Sequence, residues 1–121
     1  MNVEALKQAI RILETIPEAN FNMHTFGEKT DCGTVACIAG HCMLDPWFIS
    51  RGFIPSGCTF LIHADPVCPY NLVTGDTGRL AIQSFFQLEY LACNYLFYND
   101  IETPGEAITR IEAFLKTPMK V

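Results

Sequence analysis

Positive charge is scarce in this chain. Eight Lys and Arg stand against thirteen Asp and Glu, giving a formal net charge of -5 and a pI near 5.0. A broad electrostatic grip on nucleic acid or anionic lipid is excluded, because both need a basic surface. Charge of either sign is thin at 17% of residues, below the ~25% of an average domain. Half of the residues are apolar and mean hydropathy is +0.20, which excludes disorder as the main state. Long apolar runs are missing too. None approaches the ~20 residues that span a bilayer, since Pro, Gly or a charge interrupts each one. Residues 1–13 carry Glu4, Lys7 and Arg11 at helical spacing, where a secretory signal would need an unbroken apolar core. The expected location is the cytoplasm, with no membrane and no direct nucleic-acid partner.

The 121 residues make one domain, 1–121. A chain of this size buries roughly two-thirds of the surface that its unfolded form exposes. Six cysteines, at 32, 37, 42, 58, 68 and 93, permit a disulfide framework by arithmetic. A reducing compartment argues against one, so the thiols are expected to be free and mostly to serve as small buried hydrophobes.

Val3, Leu6, Ile10, Leu13 and Ile16 recur at helical spacing, which predicts an amphipathic helix over 2–16, stopped at Pro17. Residues 18–31 read as loop, anchored by Phe21, Met23 and Phe26. Thr30 or Asp31 looks like the cap of a second helix, and 32–44 has no charge, the mark of a helix buried on all sides. Its end begins at Asp45-Pro46. Residues 47–77 form an irregular insert punctuated by Gly and Pro, with a short strand expected at 58–62.

Asp76 or Thr77 caps the next helix, whose inner stripe is expected at Leu80, Ala81, Phe85 and Leu88. A break near 87–89 precedes another helix over 90–98. Thr103-Pro104-Gly105-Glu106 starts the last one, because Thr103 can cap, Pro104 suits the first helical position and Glu106 completes a capping box. Ile108, Ile111, Phe114 and Leu115 line its buried face. The expected fold is mainly α: a small orthogonal bundle of about five helices with a loop-rich insert.

The densest cluster of reactive residue types lies between Cys32 and Cys42, and three readings compete there. Cys37 and His41 are one helical turn apart and share a face, a start for a metal site, although the spacing matches no zinc module. Cys32 at a helix N-terminus would favour a thiolate nucleophile, with Thr34 as an alternative and His24, His41 or His63 as the base. The third reading is structural. Buried cysteines fill the core, Thr34 helps to cap, and His41 is a half-buried histidine whose ring nitrogen finds a carbonyl. The structural reading leads, because no complete catalytic constellation is present and no cofactor is implied.

Glu4, Glu14 and Glu18 lie along a solvated helix face, and Asp45 and Asp65 precede prolines as turn formers do. The 75–78 segment lacks the glycine pattern and lysine of a phosphate loop. Among the aromatics, Tyr90, Tyr95 and Tyr98 cannot all face inward, which marks them as candidate contact residues. Base stacking would need cations beside them, and Arg79 alone is near.

Phe21-Asn22-Met23, then Phe26, then the run Cys32-Gly33-Thr34-Val35-Ala36-Cys37-Ile38-Ala39-Gly40 resembles a group of small bacterial and phage-encoded proteins that share a CGTxxCxAG motif. Phe86-Gln87-Leu88, Leu96-Phe97-Tyr98 and the Thr103 to Ala107 helix start are similar as well. The group often carries tryptophan where this chain has Phe26 and His41, which implies that His41 is dispensable to whatever the group shares. The group has no assigned activity. Phage carriage implies an accessory or anti-defence role exercised by binding a host protein. The expected function is therefore a small acidic, non-enzymatic protein-interaction module. Its partner is a host protein, basic in character, or a second copy in a homodimer through the Tyr90–Tyr98 face. The alternative is a thiol-dependent enzyme or small-ligand site centred on Cys32.

Overall fold

The computed structural model describes residues 1–23, 28–30, 33–56, 68–98 and 101–116, with the side chains of 28–30, 33–35 and 56 left aside. Helices dominate. In chain order the elements are α1 (Val3–Leu13), a 3₁₀ turn (Glu18–Asn20), β1 (Glu28–Thr30), β2 (Gly33–Val35), α2 (Ile38–Met43), α3 (Pro46–Ser50), β3 (Phe53–Ser56), β4 (Cys68–Asn71), α4 (Gly78–Phe86), α5 (Tyr90–Phe97) and α6 (Pro104–Lys116). Among the described residues no helix is long and apolar enough to cross a membrane.

Helix α1 forms as its periodicity requires. Asn2 caps it by accepting the Ala5 N–H at 3.1 Å, and Ala5, Leu6, Ala9 and Leu13 are buried. Asn2 also donates its backbone N–H to the Phe86 carbonyl at 2.8 Å and its side-chain amide to the Phe85 carbonyl at 3.1 Å. One residue thus starts α1 and satisfies carbonyls that the end of α4 leaves open.

The uncharged 32–44 run is not one helix. Its Gly33-Thr34-Val35 portion pairs antiparallel with β1, Lys29 opposite Thr34, as suits β-branched residues. Phe21 and Ala36 then form an isolated parallel bridge, and α2 begins only at Ile38. The 47–77 insert is also more regular than expected. Asp45 caps α3 by accepting the Trp47 N–H at 3.0 Å, so the Asp-Pro pair that ends α2 starts the next helix. Strands β3 and β4 pair antiparallel, Phe53 opposite Asn71 and Pro55 opposite Pro69. Two prolines are tolerated because a two-stranded ladder is all edge. The strand expected at 58–62 lies outside the described residues.

The core centres on phenylalanine. Phe48, fully buried, meets Trp47, Phe53, Phe85 and Phe86 with ring centroids 4.9 to 5.7 Å apart, and Phe86 meets Phe97 at 4.8 Å. Offset and edge-on geometries of this kind add to the burial of area. On α4, Ala81, Ile82, Phe85 and Phe86 point inward, whereas Leu80, expected inside, is 60% exposed. Ala81, Phe85 and Leu88 are buried as expected, and Ile82 and Phe86 take the place given to Leu80. The break after α4 is made by Gln87, which adopts the left-handed conformation (φ 53°, ψ 53°). Helix α6 starts as expected, with Thr103 Oγ1 accepting the Glu106 N–H at 3.2 Å. Ile111 and Phe114 are buried, and Ile108 and Leu115 pack against the core edge.

Candidate functional site

The Cys32 hypothesis rested on a thiol at a helix start. Helix α2 starts at Ile38, and the residue in capping position is Cys37, whose sulfur accepts the Gly40 N–H at 3.4 Å. The helix-terminal field that would activate a thiolate is therefore displaced from position 32 to position 37, where the side chain is buried. Cys32 and the Thr34 side chain lie outside the described residues, as do His24 and His63.

His41 sits on α2, half-buried, with Nε2 2.7 Å from the Asn20 carbonyl oxygen. A carbonyl can only accept, so Nε2 carries the hydrogen. Asn20 O also accepts the Ala36 N–H at 3.1 Å, so His41 clasps α2 onto the 3₁₀ turn and its bridge to Ala36. Burial holds the His41 pKa below its ordinary 6.5, opposed by the bond to Asn20. This is the carbonyl-bound histidine of the structural reading. The weaker metal pair, Cys37 with His41, gathers no further ligands: among the described residues no group of three or more His, Cys, Asp or Glu could hold a metal ion.

The cysteines divide. Cys37, Cys42 and Cys93 are buried and take part in no disulfide. Burial raises the Cys42 thiol well above its ordinary value, aided by the proximity of Cys37 and Asp45. Cys68, in contrast, is disulfide-bonded, to a partner outside the described residues. That corrects the expectation that all six thiols are reduced.

Of the tyrosines singled out, Tyr90 is exposed, while Tyr95 and Tyr98 are partly buried against the core. Tyr90, Asn94 and Tyr98 follow one another at helical spacing along α5, and Arg79 in the first turn of α4 reaches across to all three. Its guanidinium lies 4.4 Å from the Tyr90 ring centroid and 4.3 Å from that of Tyr98. It donates to Tyr90 Oη at 3.3 Å and to Asn94 Oδ1. Nε is buried without an oxygen partner. The guanidinium instead faces the Cys93 sulfur, a weak acceptor. Burial pushes that thiol up to about 11, and the neighbouring guanidinium holds it from going higher. Tyr98 is raised above its ordinary value by burial first, then by Cys93 and Cys37, with Arg79 again opposing.

Sequence reading named the tyrosines and noticed Arg79 but did not join them. The available signal was the four-residue spacing of Tyr90, Asn94 and Tyr98, which places two rings and an amide on one face. Arg110 repeats the theme on a smaller scale, 5.0 Å from the Tyr95 ring and bonded to the Tyr95 carbonyl at 3.0 Å. A shallow surface depression on α6, lined by Thr103, Glu106, Thr109 and Arg110 among others, contains none of the sequence-predicted site residues.

No family model, curated protein or solved structure matches this chain.

Proposed function

We propose that this chain is a small acidic, non-enzymatic protein-interaction module. The observation that carries the reading is the Arg79–Tyr90 pair. An aromatic ring is displayed in the open with a guanidinium fixed on its face, and no carboxylate pairs with that cation among the described residues. Tyr and Arg are the side chains most enriched where binding energy concentrates, and fixing them beforehand lowers the entropy lost on association. The surrounding net charge of -5 favours a partner whose own surface is basic. The resemblance to phage-encoded proteins supports an accessory or anti-defence role exercised on a host protein. The same reading has the helices crossing steeply, as an orthogonal bundle.

A cytoplasmic location belongs to the proposal, and one finding stands against it. Disulfides such as that of Cys68 are rare in reducing compartments. Alkylation of the protein in freshly lysed cells, before and after reductant, decides the point.

Affinity purification from the host tests the module itself. Tagged protein should retain a specific partner that Tyr90→Ala releases while the urea midpoint stays near that of the parent. Equal capture by parent and variant, or capture of nothing by either, overturns the reading.

A further inference from the structure

Cys68 is disulfide-bonded, and the chain itself narrows the choice of its partner. Cysteines stand at 32, 37, 42, 58, 68 and 93. Cys37, Cys42 and Cys93 take part in no disulfide, which leaves Cys32 and Cys58.

The two differ in how far the fold lets them stray from Cys68. In the β3–β4 pair Ser56 stands opposite Cys68. Directly paired strand residues have Cα atoms about 5.5 Å apart, and each further residue adds at most ~3.8 Å. Cys58 follows Ser56 by two positions, so its Cα stays within roughly 13 Å of that of Cys68 whatever path the chain takes. Cys32 is on no such tether. It stands between β1 and β2, whose main packing is on the 3₁₀ turn, whereas β4 packs on β3, α4 and α2. A disulfide needs Cα atoms within ~7 Å, and two thiols on a short tether meet more often than two on a long one.

We infer that Cys58 is the partner of Cys68, and that their bond is a redox-sensitive clasp on the Ser56–Cys68 end of the β3–β4 pair. Hydrogen bonds pin the other end. Leu72 donates its N–H to the Gly52 carbonyl at 2.8 Å. Asn71, buried, accepts the Val73 N–H at the tip of the turn after β4, and its amide donates to Ser84 Oγ on α4, both at 3.0 Å. The clasp is the covalent counterpart at the Cys68 end. Thiol–disulfide exchange makes it. One cysteine, as thiolate, attacks a low-molecular-weight disulfide, releasing one thiol and leaving a mixed disulfide. The second cysteine, as thiolate, then displaces the other half. Cys58 and Cys68 have together given up two protons and two electrons, and the oxidant has become two thiols. Cys68 is only half-buried and can meet such a reagent, whereas Cys37, Cys42 and Cys93 are buried. The clasp thus answers to redox conditions that the core thiols do not feel.

Peptide mapping tests it. The folded protein is incubated with oxidised glutathione, denatured in iodoacetamide, and cut before each aspartate. Cuts at Asp31, Asp45, Asp65 and Asp76 put Cys58 on fragment 45–64 and Cys68 on 65–75, apart from Cys32, Cys37 and Cys42 on 31–44. Fragments 45–64 and 65–75 should run joined, lighter by two hydrogens than their sum, and separate with reductant. Reduction of the folded parent should raise its unfolding constant roughly 10- to 100-fold, the usual effect of opening a short closed loop. Cys58→Ser should show that loss without reductant and no more of it with reductant, while Cys32→Ser should behave like the parent. Fragment 31–44 joined to 65–75, Cys68 recovered alkylated or carrying glutathione, or a parent whose urea midpoint ignores reductant overturns the inference.

Discussion

The guanidinium of Arg79 is held between the rings of Tyr90 and Tyr98, 4.4 and 4.3 Å from their centroids. A planar cation between two π faces also brings its fork of donors to Tyr90 Oη and Asn94 Oδ1. Lysine cannot reproduce this, since its ammonium is a strongly hydrated point charge without a plane. Arg79→Lys should therefore lower stability by roughly 1–2 kcal/mol, the range for a partly desolvated cation–π contact with its hydrogen bonds. Urea denaturation measures it, and a midpoint equal to the parent's would show that the contact contributes nothing.

His41 should give the fold a mild acid sensitivity. Its folded pKa lies below the ordinary 6.5, with burial the main cause. Between the two values the unfolded chain binds a proton that the folded chain refuses. Stability is then complete above 6.5, declines as pH falls from there, and levels off below the folded value. Denaturation at pH 7.5 and 5.5 should show the decline in the parent. His41→Gln keeps a donor toward the Asn20 carbonyl and should show less of it.

Asn71 satisfies both the tip and α4 from a buried position. Asn71→Ala removes both of these hydrogen bonds and should cost about 1–3 kcal/mol, two bonds at roughly 0.5–1.5 kcal/mol each. Faster amide exchange at Val73, read by hydrogen-exchange mass spectrometry, should accompany the loss.

Gln87 occupies a left-handed position that glycine takes without strain. Gln87→Gly should stabilise the protein by about 0.5–1 kcal/mol, less than the full left-handed penalty because glycine also loosens the unfolded chain. Thermal unfolding reads the gain as a rise in Tm.

Phe48 touches four other aromatic rings at the centre of the core. Phe48→Ala should cost about 3–5 kcal/mol, as a large ring removed from a packed interior does. A midpoint shift of less than half that size would show that the neighbours collapse into the space.

Helices α1 and α6 were legible because an apolar stripe and a boundary signal agree in each, Pro17 at the end of α1 and Thr103-Pro104 at the start of α6. Thr103 with Pro104, and the spacing of Leu6 and Leu13, each say the same thing twice. The 32–44 run misled because absence of charge does not distinguish a strand from a helix. Thr34 and Val35 carried the β signal, and the run of small residues after them masked it. Leu80 was expected inside because hydrophobicity alone was read, whereas Ile82 and Phe86 fill that space. The tyrosine–arginine site was half legible. Spacing along α5 can be read, but the approach of α4 across it is tertiary, and nothing near Tyr90 in sequence announces Arg79.

The bonds of Asn2 to Phe85 and Phe86 have an order of events built into them. A ribosome delivers α1 before α4, yet the carbonyl that Asn2 holds with its side chain is made 83 residues later. Until α4 emerges, the start of α1 lacks these bonds, and α2 alone among the helices that pack on it directly has been made in full. Of these two helices the one synthesised earlier is secured by the one synthesised later, so a chaperone that shelters nascent chains would have the start of α1 to cover in the interval.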